Sequence, residues 1–162
     1  MTRSRAGRVC LVAFLIAVSA TGCHRSLNAA GEKLDPDEAR RFSNDFVGLI
    51  VADKPADIWQ KMEARLRRDL AETQMRATLD RVYAQYGGKP LEAEYKSESS
   101  GEKVYLDGTT KPMRKFWYAV RTETHAKGKY YLFVEVVPDA GRLACTGFSI
   151  VSFPGGPPPE LR

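Results

Sequence analysis

The chain has 162 residues, a formal charge of +5, two histidines and three cysteines. Three of its 25 basic residues lie within residues 1–23, which hold no acid, so the remainder is nearly balanced at 22 basic against 20 acidic side chains. That balance, without a dense basic face interleaved with aromatics, excludes a nucleic-acid binder. One histidine in the body of the chain, His125, gives no basis for a metal site, and no motif implies a cofactor.

The chain opens with Arg3, Arg5 and Arg8, followed by the apolar run VCLVAFLIAVSA from Val9 to Ala20, 12 residues in all. A basic start, a short apolar core and a small-residue end predict a signal peptide over residues 1–22. The run is too short for a membrane-spanning helix, which needs about 20 residues. Ala20, Thr21, Gly22 and Cys23 resemble the lipobox of bacterial lipoproteins. The resemblance implies that the Cys23 thiol receives diacylglycerol, that cleavage falls just before it, and that the new amine is acylated. The family commonly has Leu where this chain has Ala20. His24, in place of Asp, implies sorting to the outer membrane, with the domain facing the periplasm.

Val18, Ser19 and Ala20 also make a site for the ordinary signal peptidase, and cleavage there would leave a soluble periplasmic protein starting at Thr21. Cysteine arithmetic separates the two cases. Cys10 is discarded with the signal, and a lipidated Cys23 leaves Cys145 without a partner, whereas soluble export would let Cys23 and Cys145 pair. Cys145 itself reads as a small buried apolar residue of a strand.

Residues 23–34 lack periodicity and read as a lipidated tether, and the ending FPGGPPPELR, residues 154–162 above all, is too rich in Pro and Gly to pack, which predicts a disordered tail. Between them, residues 35–153 form one domain. Asp35, Pro36 and Glu38 carry a helix start, with Ala39, Phe42, Phe46, Leu49 and Ile50 on one face. A second helix starts near Pro55 with Ile58, Trp59, Met62 and Leu66. A third starts where Asp69 and Glu72 repeat the cap spacing, and shows Met75, Leu79, Val82, Tyr83 and Tyr86 before Gly87 and Gly88 stop it. The pattern leaves open whether these two are separate or one bent helix. The basic cluster Lys61, Arg65, Arg67 and Arg68 reads as a solvated helix face, with contact to anionic lipid head groups or envelope polymers as the sharper alternative.

After Pro90 the apolar period falls to two. LEAEYKSE forms a strand, KVYLDG a short strand or strand-like loop, and KFWYAVRTETH and YYLFVEVV a hairpin about Lys127 and Gly128. RLACTGFSIVSF closes the set through the turn at Pro138 to Gly141. The fold class is therefore α+β, three N-terminal helices packed on a curved antiparallel sheet of about four strands. That order over residues 35–153, with the ending DAGRLACTGFSI, resembles the nuclear-transport-factor-two-like superfamily of cystatin-like, cone-shaped rolls. The resemblance implies a cone that in some members is an isomerase or dehydratase site using an Asp with His or Tyr, and in others binds ligands or mediates assembly.

A tight Lys127–Gly128 turn would set Val120 opposite Glu135, Thr122 opposite Phe133 and Tyr118 opposite Val137, on a face shared with Phe116 and Cys145. Glu135, Tyr118 and Cys145 are then the candidate pocket residues, with Glu135 a carboxylate of raised pKa suited to a polar ligand or to general-base work. A shift of one residue would move Glu135 to the other face. His125 reads as an exposed turn-flanking residue. The alternative face would carry Trp117, Ala119, Leu132, Val134 and Val136, an apolar surface for a second copy or an envelope protein unless strand one or the tail covers it. The expected function is a membrane-anchored envelope lipoprotein whose non-enzymatic roll binds a partner protein or a small apolar ligand. An isomerase-like or hydrolase-like enzyme using Glu135 is the alternative.

Overall fold

The computed structural model describes residues 34–153, 156–158 and 161. The signal segment, Cys23 and the tether up to residue 33 lie outside the described residues. Helix α1 (Pro36–Val51) begins where expected: the Asp35 carboxylate accepts the Glu38 amide at 2.8 Å, and Pro36 occupies the first turn. It buries Ala39, Ser43, Phe46, Val47 and Ile50.

Three helices follow rather than one or two: α2 (Pro55–Gln60), α3 (Ala64–Asp69) and α4 (Glu72–Gln85). The break between α2 and α3 has a backbone cause. Lys61 caps α2 and Met62 then bridges to the last strand, where Cys145 N–H donates to Lys61 O at 2.9 Å and Glu63 N–H donates to Cys145 O at 2.8 Å. Those groups satisfy each other across the chain and cannot continue a helical ladder. The cap of α4 also sits later than the spacing of Asp69 and Glu72 predicts. Asp69 ends α3, Ala71 is the N-cap residue, and the Gln74 side chain accepts the Ala71 amide at 3.1 Å.

The strands are β1 (Pro90–Val104), β2 (Thr110–Thr122), β3 (Tyr130–Asp139) and β4 (Arg142–Ser152), in sheet order β1-β2-β3-β4 and antiparallel throughout. The fold is α+β, with every helix before every strand in sequence. KVYLDG is not a strand of its own. It completes β1 and turns at Tyr105–Gly108, where Gly108 at φ 80° donates to Tyr105 O and the Asp107 carboxylate accepts both N–H and O–H of Thr109.

The β2–β3 register differs from the tight-turn expectation. Lys115 faces Glu135, Tyr118 faces Leu132 and Val120 faces Tyr130. The physical reason lies in residues 123–125, which fasten the end of α4 instead of pairing with β3. Thr124 donates to Gly87 O through both its N–H and its hydroxyl, and the Glu123 carboxylate accepts the Lys89 amide at 3.3 Å. The consequence is a swap of faces. Leu132, Val134 and Val136 join Phe116, Tyr118, Val120 and Cys145 in the core under α1, α2 and α4, with Phe46, Ile58, Met75 and Leu79. The outer patch gathers Trp117, Ala119, Tyr131 and Val151 instead, and Phe153 and Leu161 pack on it. Leu161, 1% exposed, thus departs from the wholly unpacked tail expected of residues 154–162.

Candidate functional site

On α1, Asn44, Val47, Gly48 and Val51 form one stripe, because residues three, four and seven apart share a helix face. That stripe stands over Ala93 and Tyr95 of β1 and Tyr118 of β2, and between them lies a cleft of about 340 Å³. Open space stands over Gly48, where an added Cβ would meet nothing within 4 Å. The cleft wall is mainly apolar, with polar groups gathered at Tyr118.

The Tyr118 phenol carries one proton. Asn44 Oδ1, 2.9 Å away, can only accept it, so the phenol donates there and the Ser43 hydroxyl, also at 2.9 Å, donates to the phenol oxygen. Burial pushes the Tyr118 pKa up to about 12, which keeps the phenol protonated. Tyr95 packs edge-on against it, with ring centroids 6.0 Å apart. The Tyr95 hydroxyl donates to Glu98 at 3.3 Å, and Arg40 and Arg114 pair with the same carboxylate at 3.0 and 3.1 Å. Burial alone would raise the Glu98 pKa, but the Arg40 hydrogen bond and the two positive charges outweigh it and hold it below the usual range. The cleft therefore runs from an apolar stripe to an ion-paired rim.

Of the three sequence-derived pocket residues, Tyr118 alone borders this cleft. Cys145 faces the core opposite Val136, fully buried, with its thiol donating to Gly147 O at 3.4 Å. Burial pushes the thiol pKa up, so it behaves as the small apolar residue expected. Glu135 is separated from both. It faces Gly147 across a bulge on the far side of the sheet, and its oxygens pair with Lys103 and Lys115, each at 2.8 Å. Burial acts to raise its pKa, yet hydrogen bonds from the two lysines outweigh burial and lower it, the reverse of the shift expected. A carboxylate held ionised by two ammonium groups is a weak proton acceptor.

A second carboxylate escaped the sequence reading. Glu63 is 1% exposed. Its Oε1 accepts the Tyr105 hydroxyl and the Lys111 ammonium, each at 2.8 Å, and its Oε2 accepts the Thr146 hydroxyl at 2.7 Å. Lys111 also reaches Asp139 at 3.2 Å, and Asp139 accepts the Ala64 amide at 2.8 Å. Burial pushes the Glu63 pKa up, and hydrogen bonds from Lys111, Thr146 and Tyr105 more than reverse it. One signal was available: Glu63 is the only acid between Lys61 and Arg68.

The basic cluster around Glu63 is dispersed. Lys61 lies over the Phe42 ring at 5.2 Å and Arg67 over Trp59 at 5.4 Å, while Arg65 lies over Tyr105 at 4.3 Å and pairs with Asp107 at 2.8 Å. Arg68 is exposed. His125 is half-buried rather than exposed, edge-on to Tyr130 at 5.1 Å and 2.8 Å from the Thr124 hydroxyl. Among the described residues no group of three or more His, Cys, Asp or Glu could hold a metal ion, and no helix is long and apolar enough to cross a membrane. The chain matches no protein-family model, no curated protein and no solved structure.

Proposed function

We propose that this chain is an envelope lipoprotein, anchored to the outer membrane through lipid on Cys23, whose α+β domain is a non-enzymatic binding module for a small, mainly apolar molecule. The cleft beside Tyr118 is the observation that carries the proposal. Its volume of about 340 Å³ falls within the range of small-molecule sites, and such sites combine apolar walls with a few fixed polar groups. Here Val47, Val51 and Ala93 supply the wall, and Tyr118 and Asn44 supply the polar end. The domain is further read as a cone-shaped roll of the nuclear-transport-factor-two-like kind.

The isomerase-like or hydrolase-like alternative has less support, because Glu135 is ion-paired twice and lies across the sheet from Tyr118. A partner protein on the outer sheet face also has less support, because Phe153 and Leu161 already pack on Trp117, Ala119 and Tyr131.

Native mass spectrometry of the mature chain released from its own envelope tests the binding module, with Gly48→Leu beside wild type. A non-covalent adduct on the wild type that the variant loses is expected, since a Cβ at this position meets nothing within 4 Å and a longer side chain there takes up part of the cleft. No adduct, or one that persists in the variant, sinks the proposal. The anchor is tested on the same material by intact mass with Cys23→Ala. Loss of a lipid-sized mass supports it, and an unmodified wild-type chain starting at Thr21 overturns it.

A further inference from the structure

The side chains lining the cleft under α1 leave one pair of hydrogen-bond donors unspent. Val47, Val51 and Ala93 are apolar and Gly48 has no side chain, so Asn44, Tyr95 and Tyr118 decide what polar group a ligand can bring. Each carries a fixed number of protons and lone pairs.

The Tyr95 hydroxyl gives its proton to Glu98 at 3.3 Å. The Tyr118 phenol gives its proton to Asn44 Oδ1 and takes one from Ser43, each over 2.9 Å. Ser43 is fully buried and cannot exchange that bond for one to water. The series from Ser43 through Tyr118 to Asn44 therefore sets the direction of the amide: its oxygen turns to the phenol and its Nδ2 turns away. Among the described residues nothing accepts the two Nδ2 protons.

Charge is spent as well. No lining side chain is ionised at neutral pH. The cations closest to Tyr95 are Arg40, over its ring at 5.2 Å, and Arg114, and both pair with Glu98, at 3.0 and 3.1 Å. A carboxylate brought into the cleft would find two N–H donors and no free cation, and an ammonium group would find Glu98 already held by two arginines. Either ion would lose water without gaining a counterion. A neutral carbonyl needs only donors, and its apolar part can lie on Val47, Val51 and Ala93.

We infer that the cleft selects neutral aliphatic carbonyl compounds of the ester or amide kind, with Asn44 Nδ2 donating to the carbonyl oxygen and Tyr118 holding the amide in that direction. The inference rests on the binding-module reading above and adds the class of ligand to it.

Titration of the isotope-labelled full chain, purified from a bacterial envelope, with methyl hexanoate, hexanoate and hexylammonium tests it, read from the backbone amide signals of Val47 and Gly48. In wild type the ester is expected to bind about tenfold or more tightly than either ion. Asn44→Asp keeps an oxygen for Tyr118 and exchanges the donors for a charged acceptor, and because Asn44 is exposed the substitution puts no charge in the core. In that variant the ester should weaken by about tenfold and hexylammonium should overtake it. Comparing each probe between the two chains cancels its partition into the amphiphile that keeps an anchored chain in solution.

An ester that binds the variant as well as wild type, or a wild type that prefers either ion, overturns the inference and leaves the binding module standing. A wild type that binds none of the three also overturns it, and the co-purifying adduct sought above decides separately whether the module reading falls with it.

Discussion

The Tyr105 hydroxyl donates to Glu63 over 2.8 Å, joining the β1–β2 turn to the start of α3 across 42 residues of sequence. With Lys111 and Thr146 it completes the shell of a carboxylate that water does not reach. Breaking such a shell from its centre strands every partner at once. Glu63→Ala is expected to cost about 3–5 kcal/mol, the range for removing one member of a buried ion pair. Tyr105→Phe should cost about 1 kcal/mol, because it removes one hydrogen bond and leaves Lys111 in place. Urea unfolding curves for both variants check the ratio. Equal small losses would mean that water enters the site and replaces the carboxylate.

Acid should weaken the fold, and the direction follows from four groups. The pKa values of Glu63, Glu98, Glu135 and Asp139 are all lowered in the folded chain: burial opposes the shift at each, and hydrogen bonds and positive charge overcome it. A depressed carboxylate contributes stability that is complete above its ordinary value and is lost as pH falls through its folded value. For the three glutamates the loss therefore begins below 4.5, and for Asp139 below 3.8. Unfolding free energy measured between pH 7 and 3 should fall in that window, and the fall should be shallower in the double variant Glu63→Gln, Glu135→Gln. An acid limb unchanged in that variant would assign the effect to other carboxylates.

Gly147 and Glu135 should prove coupled. A Cβ on Gly147 would stand 3.1 Å from Glu135 Oε2, and that oxygen cannot swing away freely because Lys103 holds it at 2.8 Å. Gly147→Ala is accordingly expected to cost about 1–2 kcal/mol in the wild-type background and clearly less when Glu135 is already alanine, a non-additivity typical of residues in contact. A double-mutant cycle by chemical denaturation reads the coupling directly. Simple additivity would show that the ion pair yields without loss.

The helix-then-strand order was legible because apolar spacing changes from 3.6 to 2 after Pro90, and that change is local information. The strand register was not. Whether Glu135 faces Val120 or Lys115 depends on where residues 123–125 find hydrogen-bond partners, and they find them on Gly87 and Lys89, more than thirty residues away. One such tertiary contact carried Leu132, Val134 and Val136 to the other face and removed Glu135 from the side of Tyr118. Tyr118 kept its place because alternation along β2 alone puts it with Phe116 and Val120. Glu63 was hidden for a different reason. Nothing within Lys61–Arg68 says that the backbone leaves the helix there to pair with Cys145, and only that excursion turns an acid in a basic stretch inward.

Gly48 offers a test of the cleft that needs no knowledge of a ligand. Glycine inside a helix costs about 0.5–1 kcal/mol relative to alanine, because the unfolded chain has more freedom to lose. Gly48 lies three residues from the end of α1, and a methyl group there would contact nothing within 4 Å. Replacement by alanine should therefore raise stability by that amount with no steric penalty. The added methyl would also narrow the gap between α1 and Tyr95. If the glycine is present to admit a molecule against the helix, Gly48→Ala should be more stable yet hold its co-purifying adduct less well than wild type. Thermal unfolding and native mass spectrometry on one preparation separate the two effects. A variant that gains stability and keeps its adduct undiminished would show that the glycine is not needed for entry beside Tyr118.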